Sequence, residues 1–421
     1  MESPSANPSL PYNRVTWIAG VTTLLANFPL LIYGLYVNIF LKEDLLAVII
    51  IITVIAALKN LLQIFLRIPM GELSQIIGRK PLIIAGHFSY SFALLLMFFA
   101  TDWLLVFVGT LFIGVGMSAF WPAIFGYLAD VNLDRVGESQ GRIFQMSDIG
   151  SIIGSLFAFF LLNELQVSLQ SLFGTVALIS LITGVFSLIF LPESLAEKNR
   201  KNVESIKRAL VESWVSMLKS MKKISVTNRL WHVYLFHFVL AFIEFTSGMF
   251  VPLIIVSKGF TNADVSAISL WTLLLIFWSK PYLGKITDKI DFLTAITISL
   301  TITCLSVVGY IFVEEFILLV GLQMVANASI MIGYFTANGE TTRRAPIEYR
   351  GISLGVFGVY VSMGRTTSTI VLGPIWENFD LAGVFIFAPI CVIAAIIILR
   401  VIIKRNLAGE KSIFFRNSNL Q

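Results

Sequence analysis

Charge is what this chain of 421 residues has least of: 13% of it is Asp, Glu, Lys or Arg, against roughly 25% in a soluble globular domain. Hydrophobic residues make up 57%, so a water-soluble fold would lack the polar surface to cover itself. Cysteine is nearly absent. Cys304 and Cys391 both fall in apolar runs, which makes them packing residues and not a disulfide or metal pair. The three histidines, His87, His232 and His237, have no metal-ligand spacing, so neither a metal site nor a cofactor is expected. No G-x-x-x-x-G-K-[ST] run is present, which excludes an ATP-binding loop as the source of power. Gly137-Glu-Ser139-Gln-Gly141 has the letters of a hydrolase elbow. That motif needs a strand-to-helix turn, and here it lies between apolar runs, so an enzyme is not expected. The formal charge of +5 does not indicate nucleic acid, because the basic residues flank those runs. Residues 1–14 lack the basic start of a signal peptide and are expected to form a short tail.

What the chain does have is long apolar stretches. Leu45 to Leu66 carries a single charge, Lys59. A bilayer core about 30 Å thick takes roughly 20 apolar residues as helix, and lipid leaves no open backbone group satisfied. Spans are expected at 15–41, 45–68, 81–101, 103–128, 141–163, 170–191, 231–256, 264–284, 292–313, 315–338, 350–373 and 381–403. The fold class is therefore all-α integral membrane, with twelve transmembrane helices in two six-helix bundles, 15–191 and 231–403. A basic middle segment, 192–230, joins them, and a second tail covers 404–421. All but four of the 30 Lys and Arg residues fall toward one side. The positive-inside rule makes that side cytoplasmic and puts both termini there, in the plasma membrane. In the middle segment Ile206, Leu210, Trp214, Met217, Leu218 and Met221 recur at helical spacing opposite Lys207, Arg208, Lys219, Lys222 and Lys223. That pattern predicts an amphipathic helix on the inner membrane surface.

The chain repeats itself. Gly71 recurs as Gly284, Asp134-x-x-Gly137-x-x-x-Gly141 recurs as Glu348-x-x-Gly351-x-x-x-Gly355, and Trp17 recurs as Trp231. The three offsets agree to within one position. That agreement predicts two homologous halves related by an axis along the membrane normal.

Gly71-Glu-Leu73-Ser-Gln75-Ile-Ile-Gly78-Arg79-Lys80, placed between spans two and three, resembles the major facilitator signature G-x-L-x-D-x-x-G-R-K. Gly114-Val-Gly116-Met-Ser-Ala-Phe120-Trp121-Pro122 looks like the fourth span of many members of that family. The resemblance implies a secondary transporter that works by alternating access, usually as a monomer. It implies that the signature loop latches the two halves, through Gly71, Gln75, Gly78, Arg79 and Lys80, with Gly284 and Asp288 in the second half. Gln75 stands where the signature has Asp, and Asp288 retains it. Thr110 stands where many proton-coupled members place Arg. The resemblance also implies that spans one, four, seven and ten line a central cavity, which makes Asn27, Trp121, Glu244, Asn327 and Tyr334 substrate-site candidates.

Charge at mid-span costs about 2.5–3.5 kcal/mol on insertion scales, so each such residue is expected to meet a cavity or a partner. Glu244 shares a face with His237, Ala241 and Gly248, and a carboxyl in that setting can exchange a proton or bind a cation. Asp148 lies with Gln145, Ser151 and Ser155, and Arg365 with Ser362, Thr366 and Thr369. The repeat aligns Arg365 with Ser151, so Asp148 and Arg365 either face one cavity from opposite halves or each pair within their own. Lys59 shares a stripe with Gln63 and Arg67, which suits a snorkelling or inter-half structural role. Arg365 joins the substrate-binding candidates, and Glu244, Asp148 and His237 are the proton-coupling candidates. Gly150 and Gly154 suit close helix packing. The function expected is a carrier for a small organic solute in a lipid bilayer, with protons as coupling ion and no nucleic-acid partner. Export of an amphipathic compound leads. Uptake of a small polar metabolite or organic anion is the alternative, and a channel or sensor a remote one.

Overall fold

The computed structural model describes residues 12–131, 136–194, 230–287, 289–344 and 350–418, and among them there is no strand. The first half comprises α1 (Tyr12–Ile39, ending in a π-turn at Phe40–Asp44), α2 (Ile49–Ile77), α3 (Arg79–Phe98), α4 (Trp103–Val131), α5 (Val136–Asn163) and α6 (Leu169–Phe190). The second comprises α7 (Trp231–Ser257), α8 (Asn262–Thr287), α9 (Phe292–Phe312), α10 (Phe316–Arg344) and the stretch Arg350–Ser418. Among the described residues, eleven stretches are long and apolar enough to cross a membrane, the last of them Val356–Ile403 with 48 residues. As one straight helix those 48 residues would measure about 72 Å, far more than one bilayer core. They are broken where Phe379 (φ −133°, ψ 16°) and Asp380 (φ 57°, ψ −171°) leave helical geometry. The break divides the stretch into α11 (350–378) and α12 (381–418), which gives the twelfth helix.

Two expectations need correcting. The signature at 71–80 is not a loop: α2 runs on to Ile77, and the whole turn is made at Gly78, whose φ of 113° suits glycine. α12 continues through the second tail and stays helical to Ser418. The first helix begins at Tyr12, slightly before the expected span. Residues 195–229, with their expected amphipathic helix, and Asp288 lie outside the described residues.

Leu178, Ile189, Trp278, Phe312 and Ile370 are exposed around the perimeter, as side chains facing lipid tails are. Within each half the packing is governed by glycine. A Cβ on Gly150 would lie 2.1 Å from the Leu24 carbonyl oxygen, so α5 crosses α1 backbone to backbone. A Cβ on Gly364 would lie 2.2 Å from the Phe238 carbonyl oxygen, so α11 crosses α7 in the same way. The two glycines are separated by the repeat offset, and so are the two carbonyls, which makes the sequence repeat a repeat of contacts as well. Gly154 continues the first crossing, with a Cβ position 3.2 Å from the Phe28 carbonyl oxygen. Small residues at such crossings let membrane helices gain dispersion contact where no hydrophobic force acts between them.

The halves meet mainly along two seams, α2 with α11 and α5 with α8, and α1 adds contacts to α7 and α8. On the first, a Cβ on Gly373 would lie 2.8 Å from Thr53 Oγ1. On the second, the Ser155 and Ser269 hydroxyls are 3.1 Å apart. At the end remote from the basic face, the Tyr36 hydroxyl of α1 donates to the Asn262 carbonyl at 2.9 Å and also bonds the Ser266 hydroxyl of α8.

The Gly364 crossing makes a direct prediction. Gly364→Ala should destabilise the purified protein by about 1–3 kcal/mol through overpacking, seen as a lower melting temperature. Gly248, with nothing within 4 Å of its Cβ position, should accept Ala with no loss. Equal melting of the two variants would refute the crossing.

Candidate functional site

Three helices of the second half converge on one carboxylate. Arg365 on α11 donates from Nη2 to Glu244 Oε1 at 2.8 Å and from Nε to Glu244 Oε2 at 3.1 Å. The Tyr334 hydroxyl on α10 donates to Glu244 Oε2 at 2.8 Å. This fork-to-carboxylate arrangement is the strongest ion-pair geometry available to arginine. Each partner keeps about a quarter of its side-chain surface exposed, 25% for Arg365 and 28% for Glu244. His237, two turns from Glu244 on α7, is fully buried. Its Nδ1 lies 2.9 Å from the Val233 carbonyl. Its ring packs on Phe357 at 4.3 Å and Tyr334 at 6.4 Å.

Lys59 of α2 faces this cluster from the other half. Its Nζ lies 5.0 Å from the centroid of the Tyr33 ring on α1 and 5.4 Å from that of Phe245, the residue after Glu244. Ring faces attract a cation at that range. The Tyr33 hydroxyl is fixed in turn by Thr110 of α4 at 3.2 Å, so the residue standing in the place of the family's arginine orients an aromatic wall. Arg365 and Glu244 both act electrostatically on Lys59, and Arg365 acts on Arg67, two turns further along α2. Arg67 lies against α11 at Gly358, whose Cβ would sit 3.1 Å from the guanidinium. Among the described residues, no carboxylate is within ion-pair distance of Lys59 or Arg67. Glu244 thus acts on Arg365 and Lys59 and is already engaged by Arg365 and Tyr334.

Neither Asp148 nor Arg365 is paired with the other, and pairing within its own half, the second of the two readings, holds for Arg365 but not for Asp148. Arg365 pairs within its own half, whereas Asp148 pairs across the α5–α8 seam with Lys280. Sequence reasoning missed Lys280, although the repeat points to it: Lys280 follows Arg67 by the same offset that separates Gly71 from Gly284. The two are equivalent positions on equivalent helices, Ile49 opening α2 and Asn262 opening α8 at that offset. Asp148 corresponds in turn to Ser362.

The other candidates lie apart from this cluster's bonds. Asn27 donates to the Thr23 carbonyl at 3.1 Å and Asn327 to the Gln323 carbonyl at 2.9 Å, each one turn back on its own helix. Trp121 sits in a chain of rings with Phe120 and Phe125, each 5.6 Å away. In the signature, Gln75 is exposed and makes no described bond. Arg79 is buried: its Nε donates to Asp130 at 3.0 Å and its Nη1 to Ser74 at 2.5 Å. Glu193 accepts from the Arg79 and Lys80 amides at 2.9 and 3.2 Å, closing the N-terminus of α3. Gly71 lies inside α2, its Cβ position 3.5 Å from Pro122, and Gly284 lies inside α8.

The chain belongs to the Major Facilitator Superfamily, whose family profile matches residues 17–369. It is similar to a "Probable nitrate transporter NarT" of Staphylococcus haemolyticus, 23% identical over 243 residues, covering 57% of this chain and 58% of the relative. The corresponding protein of Staphylococcus epidermidis is 24% identical over 254 residues, 60% of each chain. These alignments cover less than two thirds of the nitrate-transporter relatives' length. An uncharacterized MFS-type transporter of Methanocaldococcus jannaschii is 22% identical over 336 residues, 77% of this chain and 81% of its own. The fold is shared with a peptide transporter POT in complex with sulfate, at TM-score 0.74, 11% identity and coverage of 94% and 99%. It is also shared with a mutant of the nucleoside transporter NupG, at TM-score 0.75, 13% identity and coverage of 92% and 99%.

The seam pair is open to a double-mutant cycle. Asp148→Asn and Lys280→Gln should each lower stability by about 2 kcal/mol, less than a fully buried pair would lose, because each side chain is about a fifth exposed. The double variant should recover part of that loss. Strictly additive losses would show that the two charges do not interact.

Proposed function

We propose that this protein is a secondary transporter of small anions, taking them up across the cytoplasmic membrane, with its seat between the halves at Arg67, Lys59 and Arg365. The observation that carries this reading is the unequal fate of two equivalent cations. Lys280 on the α5–α8 seam is met by the Asp148 carboxylate. Arg67, its counterpart on the α2–α11 seam, meets Gly358 instead, and Asp148's counterpart there is Ser362. One repeat holds a carboxylate beside its cation; the other holds the cation beside a surface without one. An uncompensated charge at this depth is expensive, and a transported anion supplies what the sequence withholds.

The exporter of amphipathic compounds rested on Glu244 as a lone carboxylate able to receive a cation. Arg365 and Tyr334 occupy that carboxylate, so the alternative, uptake of an anion, has the better support. The names of the staphylococcal relatives point to the same class of solute. One observation favours an anion carrying an apolar group over a bare inorganic ion. The rings of Trp121, Phe125 and Phe144 form a chain, with 5.6 and 5.7 Å between successive centroids, at the depth where α2 and α4 touch through Gly71 and Pro122.

The reading is tested by thermal shift of the detergent-purified protein against nitrate, methanesulfonate, lactate, a sugar and tetraphenylphosphonium. Anions should raise the midpoint, with about 2.7 kcal/mol of stabilisation at a hundredfold excess over the dissociation constant. Arg67→Gln should weaken that binding by about tenfold or more, the worth of one charge-assisted hydrogen bond. Stabilisation by tetraphenylphosphonium, with none by any anion, would reinstate the exporter.

A further inference from the structure

One negative charge would leave this seat unbalanced. Glu244 neutralises Arg365 by hydrogen bonds to its Nε and Nη2. At Lys59 the repulsion from Arg365 outweighs the attraction of Glu244, and among charged groups Arg67 is acted on by Arg365. Two positive charges therefore stay unmatched among the described residues. They also stand apart. Lys59 and Arg67 are eight residues from each other on α2, about 12 Å along the axis at 1.5 Å per residue. Arg365 acts on both, and neither acts on the other. We propose that the solute is an α,ω-dicarboxylate, held at one end by Arg67 and at the other by Lys59. This rests on the anion reading and names the class of anion.

The two ends are built differently, and each suits a carboxylate. Arg67 lays its guanidinium on α11 where Gly358 has no side chain, the Cβ position there being 3.1 Å from it. A guanidinium fork takes both oxygens of one carboxylate. Lys59 is held by rings: those of Tyr33 and Phe245 have their centroids 5.0 and 5.4 Å from its Nζ. They attract an ammonium without neutralising it. An ammonium has three N–H donors, and two ring faces leave one of them for a carboxylate oxygen. The Tyr33 hydroxyl is itself fixed by Thr110 at 3.2 Å. The cation is thus positioned before the solute arrives, which lowers the ordering cost of binding.

An α,ω-dicarboxylate has the two charges, the separation and an apolar methylene middle. A compact dianion such as sulfate has the charges without the separation, and reaches one cation at a time. A monocarboxylate takes the Arg67 fork and leaves Lys59 as it was.

The test is isothermal titration of the detergent-purified protein at about pH 7.5, well above the ordinary carboxyl range near 4. The probes are succinate, adipate and suberate, with hexanoate, sulfate and nitrate beside them. The best of the three dicarboxylates should bind about tenfold or more tighter than hexanoate, sulfate or nitrate, the worth of one more charge-assisted hydrogen bond. Lys59→Met puts an unbranched apolar chain between the same two rings. It should bring that dicarboxylate down to the affinity of hexanoate and leave hexanoate unchanged. Lys59→Arg should keep the preference, and Arg67→Gln should weaken dicarboxylate and hexanoate alike. If nitrate or hexanoate binds the wild type as tightly as every dicarboxylate, the two-ended seat is refuted and the anion reading stands. Sulfate matching the dicarboxylates refutes it as well, because the separation then counts for nothing. Equal losses of dicarboxylate and hexanoate in Lys59→Met also overturn it, since Lys59 then holds no end of its own. If none of the six probes binds the wild type, the anion reading fails and the dicarboxylate falls with it.

Discussion

Hydrocarbon gives an ion nothing to bond to, so a charged side chain in a membrane helix has to find its own solvent. In this chain the charges find three kinds. Asp148 and Lys280 supply each other, across the α5–α8 seam. Arg365 and Glu244 do so within the second half, with Tyr334 as a third hand. Lys59 has ring faces only, and Arg67 lies on the bare backbone surface at Gly358. The α5–α8 seam is therefore drawn together by opposite charges. The α2–α11 seam brings like charges face to face, Lys59 and Arg67 from one half and Arg365 from the other. One seam pairs its charges among the protein's own residues; on the other, among the described residues, Lys59 and Arg67 meet no carboxylate.

That imbalance matters because each half is stiff. The Gly150 and Gly364 crossings bring helix backbones into contact, and a close-packed backbone contact slides less readily than one cushioned by long side chains. At the basic end of the first half, Arg79 joins Asp130, Ser74 and the helix-closing Glu193 into one network. Motion is thereby left to the seams, which hold a pair of serines, a Thr–Gly contact, the Tyr36 bonds and one ion pair. A change of charge on the α2–α11 seam acts on the joint that is free to move, as differential binding to two states requires.

The apolar runs were legible from the sequence because lipid enforces length and composition, and each expected span falls on a helix. The sequence reading went astray where hydrophobicity stops and helix does not. Residues 71–77 are polar enough to look like a loop, yet α2 continues through them, because a helix emerging from the bilayer keeps its backbone bonds in water. The identity of charged residues was legible, and their partners were not. Period and depth place Glu244 and Arg365 on inward faces but do not tell which neighbouring helix each face meets. Lys280 escaped notice for a related reason. It lies within two turns of the end of α8 and merged with the basic flank, although its offset from Arg67 marked it as a seam residue.

A duplicated fold sorts its own residues. Positions that agree across the offset are architecture: Gly150 with Gly364, the Leu24 carbonyl with that of Phe238, Arg67 with Lys280 as paired cations on paired helices. Positions that disagree have been released from symmetry. Lys59 answers to Thr272, Glu244 to Leu30, Arg365 to Ser151, Tyr334 to Trp121, and Asp148 to Ser362. A symmetric scaffold needs none of these differences in order to pack, and each puts a charge or a polar group where its counterpart is neutral or apolar. Four of the five lie in or beside the cluster around Arg365, and the fifth is the carboxylate that neutralises the opposite seam. The asymmetry is therefore concentrated on a single electrostatic contrast between the seams, as it would be in a carrier that binds its solute once, between two halves built alike.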